Sequence, residues 1–182
     1  MKLPNRLTMI RLAMAPAYLL LLSSCERRAA AVIAEAILVA AISTDALDGY
    51  FARKLNQTSN LGILLDPIAD KLLIIPALIL MSSMGWLPVW AVIIIISREL
   101  VVSSLRLLAA SSGVILAAGF SGKAKTVAEY LLLAAATIRL GSNSVSYPLA
   151  WICAALATLS AIEYFYKNRG LLAGLFAPEE KE

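Results

Sequence analysis

Residues 45–70 read Asp45-Ala-Leu-Asp48-Gly49-Tyr-Phe-Ala52-Arg53, eight further residues, then Gly62-Ile-Leu-Leu-Asp66-Pro67-Ile-Ala-Asp70. Four carboxylates and two glycines sit at helical spacing inside two stretches that are otherwise apolar. Asp45 and Asp48 are three apart, with Gly49 and Ala52 continuing their face, and Gly62, Asp66 and Asp70 follow one another at intervals of four. A carboxylate at mid-depth in a transmembrane helix costs about 2.5–3.5 kcal/mol, so four that converge demand a positive counterpart. The chain has no His and only two Cys, far apart, which leaves a hard divalent cation held by oxygen as the natural partner. Glycines beside the carboxylates leave room for a phosphate to approach the helix backbone. The stretch reads as a metal-diphosphate site carried on two apolar helices.

The rest of the chain supports a membrane setting. Of 182 residues, 60% are hydrophobic and only 15% charged, where a soluble domain carries about 25% charged residues; mean hydropathy is +0.81. The apolar runs, each near the ~20 residues needed to span a bilayer, predict an all-α polytopic membrane protein forming one domain over 1–182. Six transmembrane helices are expected at about 12–24, 28–50, 60–82, 87–110, 123–141 and 147–166. Before them, Leu3, Leu7 and Ile10 line one face and Asn5, Arg6 and Arg11 the rest, the pattern of a short interfacial helix, with Pro16 kinking the entry to the first span. The net charge of +4 comes from loops of the kind that face the cytoplasm and anionic lipid. No basic stripe interleaved with aromatics suggests nucleic-acid binding. Cys25 and Cys153 form neither a disulfide framework nor a zinc site.

The basic residues set the orientation. With both termini in the cytoplasm, Lys2, Arg6, Arg11, Arg53, Lys54, Lys123, Lys125, Lys167, Arg169 and Lys181 lie inside and Arg27, Arg28 and Arg139 outside. The four aspartates then occupy the cytoplasmic half of the second and third spans. A competing reading of the N-terminus exists: a basic start, an apolar stretch from Leu12 to Leu22 and Leu-Ser-Ser-Cys25 resemble a bacterial lipoprotein signal. Five further spans weigh against it.

The 45–70 stretch is similar to the signature of the CDP-alcohol phosphotransferase family, Asp-x-x-Asp-Gly-x-x-Ala-Arg, eight or nine residues, Gly-x-x-x-Asp-x-x-x-Asp. Asp45, Asp48, Gly49, Ala52, Arg53, Gly62, Asp66 and Asp70 fill it without a departure, and eight fixed positions make a specific signal. The resemblance implies two Mg2+ or Mn2+ ions per site, held by Asp45, Asp48 and Asp66 with Asp70 on the second. It makes Asp70 the general base that draws a proton from an acceptor hydroxyl attacking a CDP-linked lipid, with CMP leaving. It also implies that Asp48, Gly49, Ala52, Arg53 and Gly62 line the cytidine-diphosphate pocket. Pro4-Asn5-Arg6-Leu7-Thr8 and Arg11 resemble the family's N-terminal helix, which caps the site and brings Asn5 and Thr8 to CDP-diacylglycerol. Pro67, between the last two aspartates, either aims them apart or is a tolerated kink.

The acceptor is read elsewhere. Arg98 and Arg106 lie two turns apart on the fourth span, and Gly122-Lys-Ala-Lys-Thr126 opens the fifth. Lys123 and Lys125 near a helix start oppose the helix dipole, which a phosphate held with Arg106 would relieve; the alternative is snorkelling to headgroups, with Lys125 paired to Glu129. Leu65-Asp-Pro-Ile-Ala-Asp-Lys71, Arg98-Glu99 with Arg106, and Gly122–Thr126 look like the phosphatidylglycerophosphate synthase branch of the family. That branch implies CDP-diacylglycerol plus sn-glycerol 3-phosphate giving phosphatidylglycerol phosphate and CMP, with Arg106, Lys123, Lys125 and Thr126 on the acceptor. It further implies a homodimer in the bacterial cytoplasmic membrane, its site facing the cytoplasm. Inositol phosphate or phosphatidylglycerol stand as other acceptors, while a phosphate-binding trio argues against serine. From another class, a cation transporter could use the same aspartates, but the half-repeats typical of transporters are missing.

Overall fold

The apolar runs fold as helices because, away from water, each backbone N–H and C=O must find its partner within its own segment. The computed structural model describes residues 3–24, 28–55, 60–111, 120–138 and 143–175. Among these there are six helices and no strands: α1 (Leu3–Ser23), α2 (Arg28–Leu55), α3 (Asn60–Ser83), α4 (Val89–Ser111), α5 (Phe120–Ile138) and α6 (Asn143–Leu175). Lys2, Cys25, Arg27, Arg139 and Lys181, used above for orientation and for the lipoprotein alternative, lie outside the described residues.

Two expectations need correction. The short surface helix and the first span at 12–24 are one continuous helix, α1, with Pro16 inside it. Proline deletes a single N–H and keeps a helical φ, and in an apolar setting the remaining peptide groups have no alternative to intrahelical bonding. The last helix does not stop at 166 but runs on to Leu175: Lys167, Asn168 and Arg169 end the apolar run without ending the helix, because propagation costs little once a helix is formed.

Among the described residues, one stretch, Asn143–Gly170, is long and apolar enough to cross a bilayer. Met9–Ser23, Ala29–Thr44 and Lys71–Ser83 are apolar but shorter. Helices α4 and α5 carry charges within their length: Arg98, Glu99 and Arg106 on α4, Lys123, Lys125 and Glu129 on α5.

Helix α1 packs on α2 and α3, α6 packs on α4 and α5, and contacts of α5 with α2 and of α3 with α4 and α5 join the halves. The buried core runs through Tyr18, Leu22, Leu38, Leu73, Leu78, Met81, Ile95, Leu132 and Leu133. Helix α6 meets its neighbours through Ala150, Ala154, Ala157 and Ser160, all buried and three or four residues apart, with the buried Cys153 beside Ala154. Such a stripe of small residues lets backbones approach closely where helices associate without water to drive them. Large apolar side chains face outward, among them Leu20, Val32, Trp90, Leu107, Trp151 and Ile162.

Helix α3 ends in a tight turn. Gly85 has φ +73°, its N–H donates to the Ser82 carbonyl at 3.0 Å, and the Trp86 N–H donates to the Met81 carbonyl at 2.9 Å. This pair of bonds around a left-handed glycine is the Schellman cap, and the buried Met81 and Trp86 supply its customary apolar contact. From α6, Ser146 Oγ donates to the Trp86 carbonyl at 2.9 Å and the Tyr147 hydroxyl to that of Gly85 at 3.3 Å. The α3–α4 turn and the start of α6 therefore share one end of the bundle. Chain alternation sends the first turns of α3 and α5 and the last turns of α4 and α6 to the other end. The last turn of α2 goes there too, being four residues from α3.

A Cβ at Gly85 would meet nothing within 4 Å, so Gly85→Ala carries only the cost of a left-handed alanine. The expected loss is about 1 kcal/mol, read as a small drop in the thermal unfolding midpoint in detergent.

Candidate active site

At the end of the bundle opposite the Gly85 turn, α4, α5 and α6 enclose a small cleft. Arg98 and Arg106 come from α4, Ser121 and Gly122 from α5, and Ser160, Glu163, Tyr164, Lys167 and Asn168 from α6. Its inner volume is about 20 Å³, room for roughly one water. The alignment follows from helix period: Ser160, Tyr164 and Lys167 recur at four and three on α6, so they share a face. The Asn168 side-chain amide donates to the Tyr164 carbonyl at 2.8 Å. Thr126 Oγ1 on α5 donates to the Gly122 carbonyl at 3.1 Å, one turn back.

A buried charge network backs this cleft. Arg98 Nη1 donates to Glu99 Oε1 at 2.6 Å and its Nη2 to Ser160 Oγ at 2.6 Å, tying α4 to α6. The same Glu99 oxygen accepts from Lys125 Nζ on α5, and Lys125 also pairs with Glu129 Oε2 one turn on at 2.9 Å. Side-chain exposure is 9% for Arg98, 17% for Glu99, 2% for Lys125 and 1% for Glu129. Two cations and two anions thus balance one another in an apolar setting that would tolerate none of them alone.

Not every polar atom here is met. Arg98 Nε, Arg106 Nε and the Tyr164 hydroxyl are buried without a hydrogen-bond partner. The Arg106 guanidinium lies over the Tyr164 ring, 5.5 Å from its centroid, a cation–π contact that fixes the ring and the charge relative to each other. Three unmet polar groups capable of donating, from residues that line one cleft, make it a place for an oxyanion.

The expected acceptor set is divided by this geometry. Arg106 lines the cleft, Lys125 is buried and engaged by two carboxylates, Lys123 is exposed, and Thr126 bonds its own helix. Asp45 and Asp48 belong to α2 and Asp66 and Asp70 to α3, in the halves of those helices toward the cleft's end of the bundle. Their side chains, those of Asn5, Thr8, Ala52 and Arg53, and the surroundings of Gly49 and Gly62 lie outside what the structure describes. Among the described residues no group of three or more His, Cys, Asp or Glu is placed to hold a metal. Sequence reasoning missed the α6 wall altogether. Its one available signal was the aromatic and charged run Glu163–Arg169 at the end of an apolar helix.

Residues 1–161 match the CDP-alcohol phosphatidyltransferase family, and the chain belongs to it. Among its relatives, a Bacillus subtilis (strain 168) protein named CDP-diacylglycerol–glycerol-3-phosphate 3-phosphatidyltransferase is 40% identical over 91% of this chain and 94% of its own. A Haemophilus influenzae protein of the same name is 38% identical over 71% of this chain and 73% of its own. One from Wigglesworthia glossinidia brevipalpis is 34% identical over 91% and 94%. The family match stops just short of Tyr164, Lys167 and Asn168.

Lys125→Met strips two buried carboxylates of a shared cation, and breaking such a pair costs about 3–5 kcal/mol. The exposed Lys123→Met is expected to stay within about 0.5 kcal/mol of the parent. Thermal unfolding of both variants in the same detergent checks the contrast.

Proposed function

We propose that this protein is a multi-pass enzyme of phospholipid synthesis. It transfers the phosphatidyl group of CDP-diacylglycerol to sn-glycerol 3-phosphate, giving phosphatidylglycerol phosphate and CMP. Family membership and the names of relatives that align along nearly the whole chain support the reaction. The observation that carries the acceptor is the cleft in which Arg98 Nε, Arg106 Nε and the Tyr164 hydroxyl have no partner. A phosphate offers those donors several anionic oxygens and charge-assisted bonds, where an uncharged alcohol offers only the weaker neutral acceptors of its hydroxyls.

Arg98, Arg106 and Tyr164 take the acceptor phosphate, while Lys123 and Lys167, both exposed, draw the anion toward the mouth. A phosphate is larger than the resting cleft, so its entry displaces the rim side chains Glu163 and Lys167. Asp45, Asp48, Asp66 and Asp70 form an all-oxygen donor set on two helices whose relevant halves lie toward this end of the bundle, which suits two Mg2+ or Mn2+ ions. Bound there, such ions supply charge neutralisation for the diphosphate and a lowered pKa for a nearby hydroxyl. Asp70 accepts the proton of the glycerol hydroxyl as that oxygen forms its bond to the β-phosphorus, and the bond from that phosphorus to the CMP oxygen breaks. Gly49, Ala52 and Gly62 leave space for the cytidine diphosphate, Arg53 faces its charge, and Asn5 and Thr8 on α1 close over it.

In this reading residues 1–182 form one domain of six spans in a bacterial cytoplasmic membrane, with the aspartates on the cytoplasmic side. The apolar outward surface and the basic residues of the 53–54 and 123–125 segments support that placement. The family resemblance supports a homodimer.

Purified protein supplied with labelled CDP-diacylglycerol and a panel of glycerol 3-phosphate, glycerol, inositol phosphate and serine tests the reaction. CMP release is expected with glycerol 3-phosphate and divalent metal, and to vanish in excess EDTA. A preference for inositol phosphate would overturn the acceptor, and full activity in EDTA the metal. Asp45→Asn, Asp48→Asn and Asp66→Asn are each expected to abolish turnover, and Asp70→Asn to lower it by about 10²–10⁴ while CDP-diacylglycerol still binds. Arg106→Ala is expected to raise the glycerol 3-phosphate KM about tenfold to a hundredfold and leave that for CDP-diacylglycerol nearly unchanged.

A further inference from the structure

Arg98 is held at both ends of its guanidinium. Nη1 is bonded to Glu99 and Nη2 to Ser160, each at 2.6 Å, and Nε is the edge without a partner. Glu99 in turn is held by Lys125 from the neighbouring helix, and Lys125 by Glu129 at 2.9 Å. The chain of contacts runs from α5 through α4 to α6 and ends at the cleft. Lys125 is almost fully buried and is absent from the cleft lining.

We infer that Glu99 and Ser160 are positioning residues that fix Arg98 with its Nε edge free for the acceptor phosphate, and that Lys125, with Glu129, balances the charge of Glu99 and does not touch the substrate. The inference rests on reading the Arg98–Arg106 cleft as the acceptor site. An arginine left to its own rotamers offers any of five N–H groups; one clamped through both Nη atoms offers a defined edge. Charge alone argues against Glu99 at this place, since a carboxylate beside an anion site repels its ligand. Its presence between two cations is explained by holding them. Glu129 completes the balance: it satisfies Lys125, so that Glu99 keeps its bond to Arg98.

Steady-state kinetics of the intact protein, both substrates varied, separate the possibilities. If Glu99 acted only through its charge, Glu99→Gln would lower the KM for glycerol 3-phosphate. Positioning predicts the opposite, a rise of about fivefold to tenfold as a charge-assisted bond becomes a neutral one, with the CDP-diacylglycerol KM unmoved. Ser160→Ala removes the other clamp and is expected to raise the same KM about threefold to tenfold. The double variant Lys125→Met with Glu129→Gln deletes a buried ion pair while leaving the Glu99–Arg98 bond. Its glycerol 3-phosphate KM is expected within about threefold of the parent, whereas loss of a direct phosphate ligand raises it at least tenfold. A lowered KM in Glu99→Gln, or a tenfold rise in the double variant with unfolding midpoint retained, overturns the inference. Should the double variant not fold, the Glu99→Gln and Ser160→Ala results decide. Arg106→Ala is the control on the underlying site: an unchanged KM there removes the acceptor site itself, whatever Glu99 does.

Discussion

An ionised side chain inside a bundle of apolar helices persists only if another charge stands against it, and most of the architecture around α4, α5 and α6 answers that requirement. Arg98, Glu99, Lys125 and Glu129 come from two helices and sum to zero. They can meet only because α6 offers Ala150, Ala154, Ala157 and Ser160 toward its neighbours instead of bulk. A larger residue at these positions would hold the helices apart and leave each charge to a low-dielectric surrounding, where an uncompensated ion costs several kcal/mol. Replacing such a network by well-packed apolar residues is often neutral or stabilising. Stability therefore does not account for it, and the orientation it imposes on Arg98 does.

The two ends of the molecule are built on different chemistry. At the Gly85 end the contacts are neutral: a glycine cap, a serine and a tyrosine from α6 on two carbonyls, and the Tyr18 hydroxyl against Thr137 Oγ1 at 3.0 Å. These satisfy backbone groups and fix helix ends without placing charge. At the opposite end charged groups accumulate, with Arg98, Arg106, Lys123, Lys125 and Lys167 among the described residues and the four aspartates on α2 and α3.

Much of this was legible in the chain. Apolar runs near bilayer length predict six helices with ends mostly within a few residues of those observed, and the Asp and Gly spacing on α2 and α3 is by itself specific enough to point to the family. The i,i+4 pairing of Lys125 with Glu129 was also available as a local alternative. What sequence could not give is contact across long separation. Glu99 and Lys125 are 26 residues apart, and Arg98 and Ser160 are 62 apart; nothing in periodicity brings them together. The N-terminal expectation failed for a different reason. An amphipathic pattern set a surface helix apart from a span beginning at residue 12, with a kink at Pro16, yet the backbone's need for internal hydrogen bonds carried one helix from Leu3 to Ser23.

On the proposed reading, the geometry also explains why the acceptor must be ionised. Metal ions on the aspartates would neutralise the donor diphosphate, so the second substrate cannot rely on them for its own binding charge. A separate cationic cleft gives it an independent anchor, and arginines present their donors to an oxyanion in a fixed planar fork. Arg98 is immobilised by partners that cancel part of its field, and Arg106 is set against the Tyr164 ring with Nε unmet. The first supplies direction and the second supplies net charge. A cleft with two free, unclamped arginines would bind anions more strongly but in many poses. Transfer needs one pose, in which the hydroxyl of the bound acceptor faces the carboxylate that takes its proton, and the clamp on Arg98 selects it at the expense of raw affinity.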